Sequence, residues 1–411
     1  MLSNQNDRSE LFGKKITVMG LGLHGGGIAT ARFLAQQGAK LTVTDLRDEE
    51  TLRPSLEALQ DLPIRYVLGR HQMEDFRNAD LVIKNPAVPR DSEYLQAARR
   101  VESDISLFLR LNRRPLIAVT GSKGKSTTVS ALHRVLRAAY PDALLGGNIT
   151  VSPLSFADRC VEASDSPVVL ELSSWQLADI QPITLLRPKI ALITNIMADH
   201  QNSYSSMDDY VADKLRVFAA QEPDDLGIYP LNDAYGRLIA EHIRGPRRAY
   251  SASPLPIGVE GAYLRDDAGY CRDGGRELLL FRGEAKLQGR HNQLNLLMAG
   301  YMAYLFGLPP EVIAPEILDF GEIEHRFEKV GSYHGVTWYN DSAATIPEAA
   351  AAAVESCSRP VHLICGGTDK KLDFRAFEDS ADIPASIHLL AGSATDRMVE
   401  ILKKHGRRFY G

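Results

Sequence analysis

The chain has 411 residues, 44% of them hydrophobic and 24% charged, with a formal net charge of −5. That is enough apolar material for two or three ordinary cores, and the mixture is that of a globular protein rather than a disordered one. The arginine pairs at Arg99, Arg113, Arg247 and Arg407 are dispersed and lack interleaved aromatics, which argues against a nucleic-acid partner.

The first ten residues, MLSNQNDRSE, are polar and acidic where a secretory leader is basic and then apolar. No apolar run reaches the ~20 residues that span a bilayer, so a cytoplasmic protein without membrane insertion is expected. KKITVMGLGLHGGGIATARFLAQQGAKLTVTDLR then predicts a strand from Ile16 to Met19, a turn through Gly20, Gly22 and Gly25, a helix ending near Gly38, and a strand ending at Asp45. This is a glycine-rich nucleotide fingerprint with an acidic residue ~20 positions on, as in a Rossmann unit. Close strand–helix packing would explain the same glycines. ADLVIKNPAVP reads as a strand running into a proline-bounded loop, and DISLFLRL as a helix. The βα alternation restarts beyond Arg113, which predicts a first domain over 1–113.

PLIAVTGSKGKSTT predicts a buried strand, a tight glycine–lysine loop and a helix on which Val129, Leu132, Leu136 and Ala139 recur at helical spacing. The common phosphate loop carries a glycine where this chain has Val119. Gly121 and Gly124 nonetheless let the N–H groups of a loop containing Ser122 and Lys123 turn toward phosphate oxygens. Lys125 can reach the terminal phosphates, and Ser126 or Thr127 can ligate magnesium. PVVLELSS and PKIALITNI read as further core strands of a mainly parallel sheet. Ligands gather at the carboxyl ends of such strands, which brings Glu171, Ser173, Thr194, Asn195 and His200 toward the phosphate loop.

Residues 250–290 predict a small β insertion, and GRHNQLNLLMAGYMAYLFGLPP a helix stopped by its prolines. The second domain is therefore expected over 114–322. VTWYNDSAATIPEAAAAAV, PVHLICGGTDK and SIHLLAGS predict a third α/β domain over 323–411. Cys160, Cys271, Cys357 and Cys365 lack metal-ligand spacing and suit free thiols in a reducing compartment.

GLGLHG, TGSKGKSTT, GGNI, ELSSWQL, NIMADHQNSY, KLRVF, GRHNQLN, EHRFE, NDSAAT and GGTDK occur in this order over nearly the whole chain. In these motifs the chain resembles the Mur ligases, the ATP-dependent amide-forming enzymes of peptidoglycan synthesis, and within them the members that add D-glutamate. The resemblance implies ATP and Mg2+ as cofactors, UDP-N-acetylmuramoyl-L-alanine and D-glutamate as substrates, and a monomer. It implies that the first Rossmann-like domain holds a uridine diphosphate rather than a redox cofactor, with Leu23 and His24 near the diphosphate, Asp45 and Arg47 near the uracil, and Asn85 and Pro86 along the nucleotide. Asn148 and Ser173 would contact the muramoyl-alanine end. Ser126 and Glu171 would bind a first magnesium, with His200 and a carbamylated Lys214 at a second. Asn292 and Asn295 would face adenine, Arg326 the ATP phosphates, Asp341 the ribose, and Thr345 and Lys370 the incoming amino acid.

From the residues alone, Lys214 in DDYVADKLRVF reads as a solvated helix lysine. The chain departs from the family at Ala343, which replaces a lysine, so L-glutamate stays open as the acceptor. It also ends at KKHGRRFYG without the family's final Ser- and Phe-containing motif, and a truncated third domain is expected. A phosphate-loop kinase or NTPase would use the same loop but leaves the first domain and GRHNQLN unexplained. A non-catalytic nucleotide-binding protein would not need Lys125, Glu171, His200 and Lys214 together.

Overall fold

The computed structural model describes residues 10–411 apart from 24, 87, 150, 198–203, 205, 288, 322–327, 343, 345, 346, 358, 359 and 368–372. It divides into two compact units, one of Met1–Asp199 with Met207–Phe320 and the other built on Gly321–Gly411.

Among the described residues of the first unit, two sheets follow one another in sequence. The first contains β1 (Lys15–Met19), β2 (Lys40–Asp45), β3 (Arg65–Leu68), β4 (Leu81–Lys84) and β5 (Val101–Ser103), all parallel, in the order β3-β2-β1-β4-β5. The chain reverses its direction of sheet growth between β1 and β4, the switch point where open α/β sheets leave a ligand crevice. The glycine turn after β1 is tight because the helix Gly26–Gln36 starts against it: a Cβ at Gly27 would lie 2.0 Å from the Leu21 carbonyl oxygen.

The second sheet adds β6 (Leu116–Thr120), β7 (Leu144–Gly147), β8 (Val168–Glu171), β9 (Ile190–Ile193), β10 (Leu226–Pro230), β11 (Arg247–Ser251), β12 (Gly261–Arg265), β13 (Ala268–Asp273) and β14 (Arg276–Arg282). Their order is β14-β13-β12-β11-β10-β9-β6-β8-β7. Every residue of β6, β8 and β9 is buried, which is why these strands are continuous apolar runs and do not alternate. The predicted β insertion is β12–β14: β12 joins β11 in parallel and the rest returns as an antiparallel edge.

The helix Lys125–Ala139 buries Val129, Leu132, Val135 and Leu136. Ala139, expected on that face, is exposed because the stripe ends a turn before the helix does. Against it packs Arg290–Leu305, buried without interruption from Asn295 to Ala303; a helix covered on all sides has no need of an amphipathic pattern.

The second unit contains the antiparallel pair β15 (Glu328–Tyr333) and β16 (Val336–Asn340) and the parallel strands β17 (His362–Gly366), β18 (Ser386–Leu390) and β19 (Phe409–Tyr410). Its core is Phe374, Phe377, Ala381, Ile387, Leu389, Ala394 and Leu402. No described helix of either unit is long and apolar enough to cross a membrane.

Candidate active site

The loop between β6 and the helix Lys125–Ala139 is held in shape mainly by the segment that follows β9. Ser122 N donates to the Asn195 carbonyl at 2.9 Å, and Lys123 N donates to Asn195 Oδ1 at 2.9 Å. Thr194 Oγ1 and Asn195 Nδ2 donate to the Lys123 carbonyl at 2.6 and 3.1 Å. The Ser122 hydroxyl is within 2.9 Å of the Tyr210 hydroxyl and accepts from Met197 N at 2.9 Å. Gly121 and Gly124 have φ of +140° and +83°. A Cβ at Gly121 would meet Thr194 Oγ1 at 1.9 Å, and one at Gly124 would meet Asn295 Oδ1 at 2.4 Å. The loop is therefore a preformed cradle at the start of a helix whose dipole favours an anion.

Two ammonium groups converge on this cradle. Lys125 Nζ folds back to donate to the carbonyls of Gly121 and Ser122 at 2.8 and 2.9 Å. Lys214 Nζ donates to the same Gly121 carbonyl at 2.8 Å and lies 4.5 Å from the centre of the Tyr210 ring. Lys214 is 2% exposed, so its reading as a solvated helix lysine is overturned. Along the helix Met207–Leu215 it stands with Tyr210, Val211 and Leu215 on the buried face, and that i, i+1, i+4, i+5 spacing is the sequence signal for its burial. Like charges sharing one carbonyl are eased by a bound anion, or by converting one of the amines into an acid.

Glu171 ends β8 in register with Val119 of β6, and it is 1% exposed. Its Oε1 accepts from Asn148 Nδ2 at 2.8 Å, while its buried Oε2 has no hydrogen-bond partner among the described residues. Gly147 lets the Asn148 loop approach, since a Cβ there would lie 2.1 Å from the Glu171 carbonyl oxygen. An orphaned carboxylate oxygen beside a phosphate cradle, with the buried Ser126 at the helix start, is a donor set that fits magnesium. That ion keeps several waters and usually takes one or two protein carboxylates together with substrate phosphates. Among the described residues no three His, Cys, Asp or Glu side chains converge as a metal cluster.

Asn295 is buried against Gly124, and Asn292 lies one turn earlier on the same helix. Thr127 is buried in the first turn after the loop. Ser173 caps the helix Ser174–Asp179, accepting from Gln176 N at 3.2 Å in a reciprocal capping box, so its hydroxyl has a structural task that the sequence reading did not assign. Asp341 follows β16 in the second unit. His24, His200, Arg326, Thr345 and Lys370, with Ala343, lie outside the described residues.

In the first sheet, Asp45 supports the glycine turn. Its Oδ2 accepts from Leu21 N and Gly22 N at 2.9 and 3.1 Å, and its Oδ1 accepts from Arg47 N at 2.9 Å. Leu23 is exposed on this turn, and Asn85 and Pro86 are partly buried beyond β4, with Asn85 Nδ2 donating to the Gly20 carbonyl at 3.4 Å.

The chain matches the Mur ligase MurD-like N-terminal domain over residues 14–106 and the Mur ligase middle domain over residues 119–303. It is 40% identical to the UDP-N-acetylmuramoylalanine–D-glutamate ligase of Borreliella burgdorferi strain ZS7, across 98% of this chain and 88% of that protein. The ligases of the same name from Treponema pallidum and Roseiflexus sp. are 41% and 40% identical, across 98% and 96% of this chain and 89% and 86% of their own. Among solved structures, the UDP-N-acetylmuramate–alanine ligase MurC of Thermotoga maritima superposes with a TM-score of 0.63 at 18% identity, covering 97% of this chain and 90% of that one. MurF ligase of the same organism, in complex with ADP, superposes with a TM-score of 0.54 at 12% identity, covering 98% and 87%. These two show the fold. With the two family domains lying in order on the two sheets, and this identity sustained over nearly the whole chain, the chain belongs to the Mur ligase family.

Proposed function

We propose that the chain is an ATP-dependent ligase that joins D-glutamate to UDP-N-acetylmuramoyl-L-alanine by an amide bond, as a cytoplasmic monomer in peptidoglycan precursor synthesis. The observation that carries this reading is the cradle itself: two lysine ammoniums and a half-satisfied buried carboxylate around a glycine loop, in a chain whose relatives bear that ligase name. A carboxylate resists attack by an amine until one of its oxygens is made a leaving group. In the proposed reaction a carboxylate oxygen of the L-alanyl end attacks the γ-phosphorus of ATP, and ADP departs. The amine of D-glutamate then attacks the acyl carbon, the C–O bond to phosphate breaks, and the amine gives up a proton as the amide forms.

Both steps concentrate negative charge, so catalysis is positioning and electrostatics. Lys125 leaves the loop carbonyls for the transferred phosphoryl group, and Gly121, Ser122, Lys123, Gly124, Ser126 and Thr127 surround the phosphates. Asn292 and Asn295 take adenine, Arg326 the phosphates and Asp341 the ribose. Ser126 and Glu171 would hold one Mg2+, with His200 and Lys214 at a second; when bound, the ions neutralise phosphate charge. Lys214 is carbamylated in this reading: its neutral amine adds CO2 and loses a proton, replacing a cation beside Lys125 with a carboxylate. Leu23, His24, Asp45, Arg47, Asn85 and Pro86 hold the uridine diphosphate on the 1–113 domain, and Asn148 and Ser173 the muramoyl-alanine end on 114–322. Thr345 and Lys370 on 323–411 receive the amino acid.

The test is phosphate release in the presence of ATP and magnesium. Release should require both the UDP-muramoyl substrate and D-glutamate, with L-glutamate and other amino acids inactive. Phosphate from ATP alone would identify an NTPase, and preference for L-glutamate would correct the acceptor.

A further inference from the structure

The side chains that join the two sheets of the first unit are not part of the site described above. Lys84 closes β4, next to Asn85 and Pro86, yet its side chain is only 6% exposed. It forms an ion pair with Asp179, 4% exposed, at the end of the helix Ser174–Asp179. Arg90 Nε donates to the second Asp179 oxygen at 2.9 Å. The same guanidinium donates to the Trp175 carbonyl at 3.4 Å and lies 3.7 Å from Asp213, the residue before Lys214. Arg216, just beyond that helix, donates to the carbonyls of Leu177 and Ile180, each at 3.0 Å. The carboxylate of Asp179 is thus gripped from the first sheet at both oxygens. The helix it terminates begins three residues after Glu171.

We propose that Lys84, Asp179 and Arg90 are positioning residues that set the distance between the UDP-binding turn and the phosphate-transfer centre. The inference rests on the ligase reading, in which one substrate spans both sheets: its uridine end lies beyond β1 and β4, and its carboxylate must reach the cradle beside Glu171. Binding energy gathered at the first end aids the reaction at the second only if the two are held in register, because small misplacements of reacting groups cost orders of magnitude in rate. Stability alone does not account for the arrangement, since a buried ion pair can be replaced by neutral side chains at little cost once both charges are removed together. The phosphate cradle draws its hydrogen bonds from the segment after β9 and from Lys214, none of them from Lys84 or Asp179, so nucleotide binding should be indifferent to the clamp.

Steady-state kinetics and calorimetry on Asp179→Asn, Lys84→Met, the double variant and Lys84→Arg test this. Each neutral single variant and the double variant should raise KM for UDP-N-acetylmuramoyl-L-alanine and lower kcat, each about tenfold, with KM for ATP within about twofold of wild type. The double variant should recover the wild-type melting temperature without recovering these losses, and Lys84→Arg should recover most of the rate. Titration of the UDP substrate into the full chain without ATP should show binding about tenfold weaker in the neutral variants. That measurement supports the clamp even if wild type shows no D-glutamate-dependent phosphate release, the outcome that removes only the ligase reading. A double variant with wild-type kcat/KM, or KM values for ATP and the UDP substrate that rise together, overturns the proposal.

Discussion

Among the described residues, the strand–glycine–helix turns after β1 and after β6 are built to similar backbone rules and finished with opposite charge. After β1, Gly20, Gly22 and Gly25 take positive φ, and the turn is braced from within by the Asp45 carboxylate. After β6, Gly121 and Gly124 do the same, and the turn is ringed by the ammoniums of Lys125 and Lys214. The shared glycines therefore say only that backbone must turn sharply and let another group approach. The second contact separates them: in the first turn a buried acid already occupies the N–H groups, whereas in the second the Lys125 ammonium rests on loop carbonyls beside a helix start that favours an anion.

The largest effect expected from breaking this contrast is at Lys125. Lys125→Ala should lower kcat on the order of 10³-fold, roughly 4 kcal/mol of transition-state stabilisation, while Lys123→Ala should cost far less, since the Asn195 contact of residue 123 is made by its backbone N. Equal losses in the two variants would show that bulk positive charge, rather than a directed ammonium, serves the loop.

Asp45→Ala tests the other side. It leaves the N–H groups of Leu21, Gly22 and Arg47 without their acceptor, and Leu21 is fully buried. A loss of about 2–3 kcal/mol is expected in denaturant unfolding, together with weaker UDP-substrate binding and an unchanged KM for ATP. An unchanged stability would mean that the turn does not depend on its internal acid.

These residues also show what the sequence could disclose. The order of strands and the phosphate loop could be read because buried parallel strands are unbroken apolar runs and the glycine–lysine spacing has a local physical cause. Asp45 was placed correctly in the chain, but its hydrogen bonds to a turn 23 and 24 residues earlier belong to the folded sheet. Nothing local marks Lys84: a lysine after LVI resembles a solvated strand end, and its partner Asp179 lies 95 residues away. Lys214 had a local signal in the stripe it shares with Tyr210 and Val211, which the usual placing of lysine at the surface obscured.

A smaller effect separates the two turns by sterics alone. Gly124→Ala sets a methyl group 2.4 Å from Asn295 Oδ1 at φ +83°, whereas the nearest atom to a Cβ at Gly22 is Asn85 Nδ2 at 3.9 Å, with φ +65°. Gly22→Ala should therefore cost only the left-handed backbone penalty, about 1 kcal/mol, and Gly124→Ala about 2 kcal/mol with a raised KM for ATP. Similar costs at the two sites would show that Asn295 can withdraw without affecting the cradle.

The smallest effect concerns a half-buried acid near the first sheet, which lacks the set of backbone donors that Asp45 enjoys. Asp104 begins the helix Asp104–Leu111 and accepts from Ser152 Oγ and from Ile105 N, each at 2.9 Å. Burial pushes its carboxyl above the usual carboxylate range, the nearby Asp179 charge adds to this, and the two hydrogen bonds oppose it. The folded chain thus holds this proton more tightly than the unfolded chain. Its contribution to stability is complete below the ordinary carboxylate pKa and is lost as pH rises through the raised value. Asp104→Asn keeps the bond from Ile105 N on its Oδ1, donates from Nδ2 to the Ser152 hydroxyl where the acid accepted from it, and cannot ionise, so its melting temperature should gain on wild type as pH goes from 5 to 8, by an amount on the order of 2 °C. A difference between variant and wild type that stays constant over that range would show that Asp104 does not change its charge there, and that its place between Ser152 and the neighbouring Asp179 costs the fold nothing.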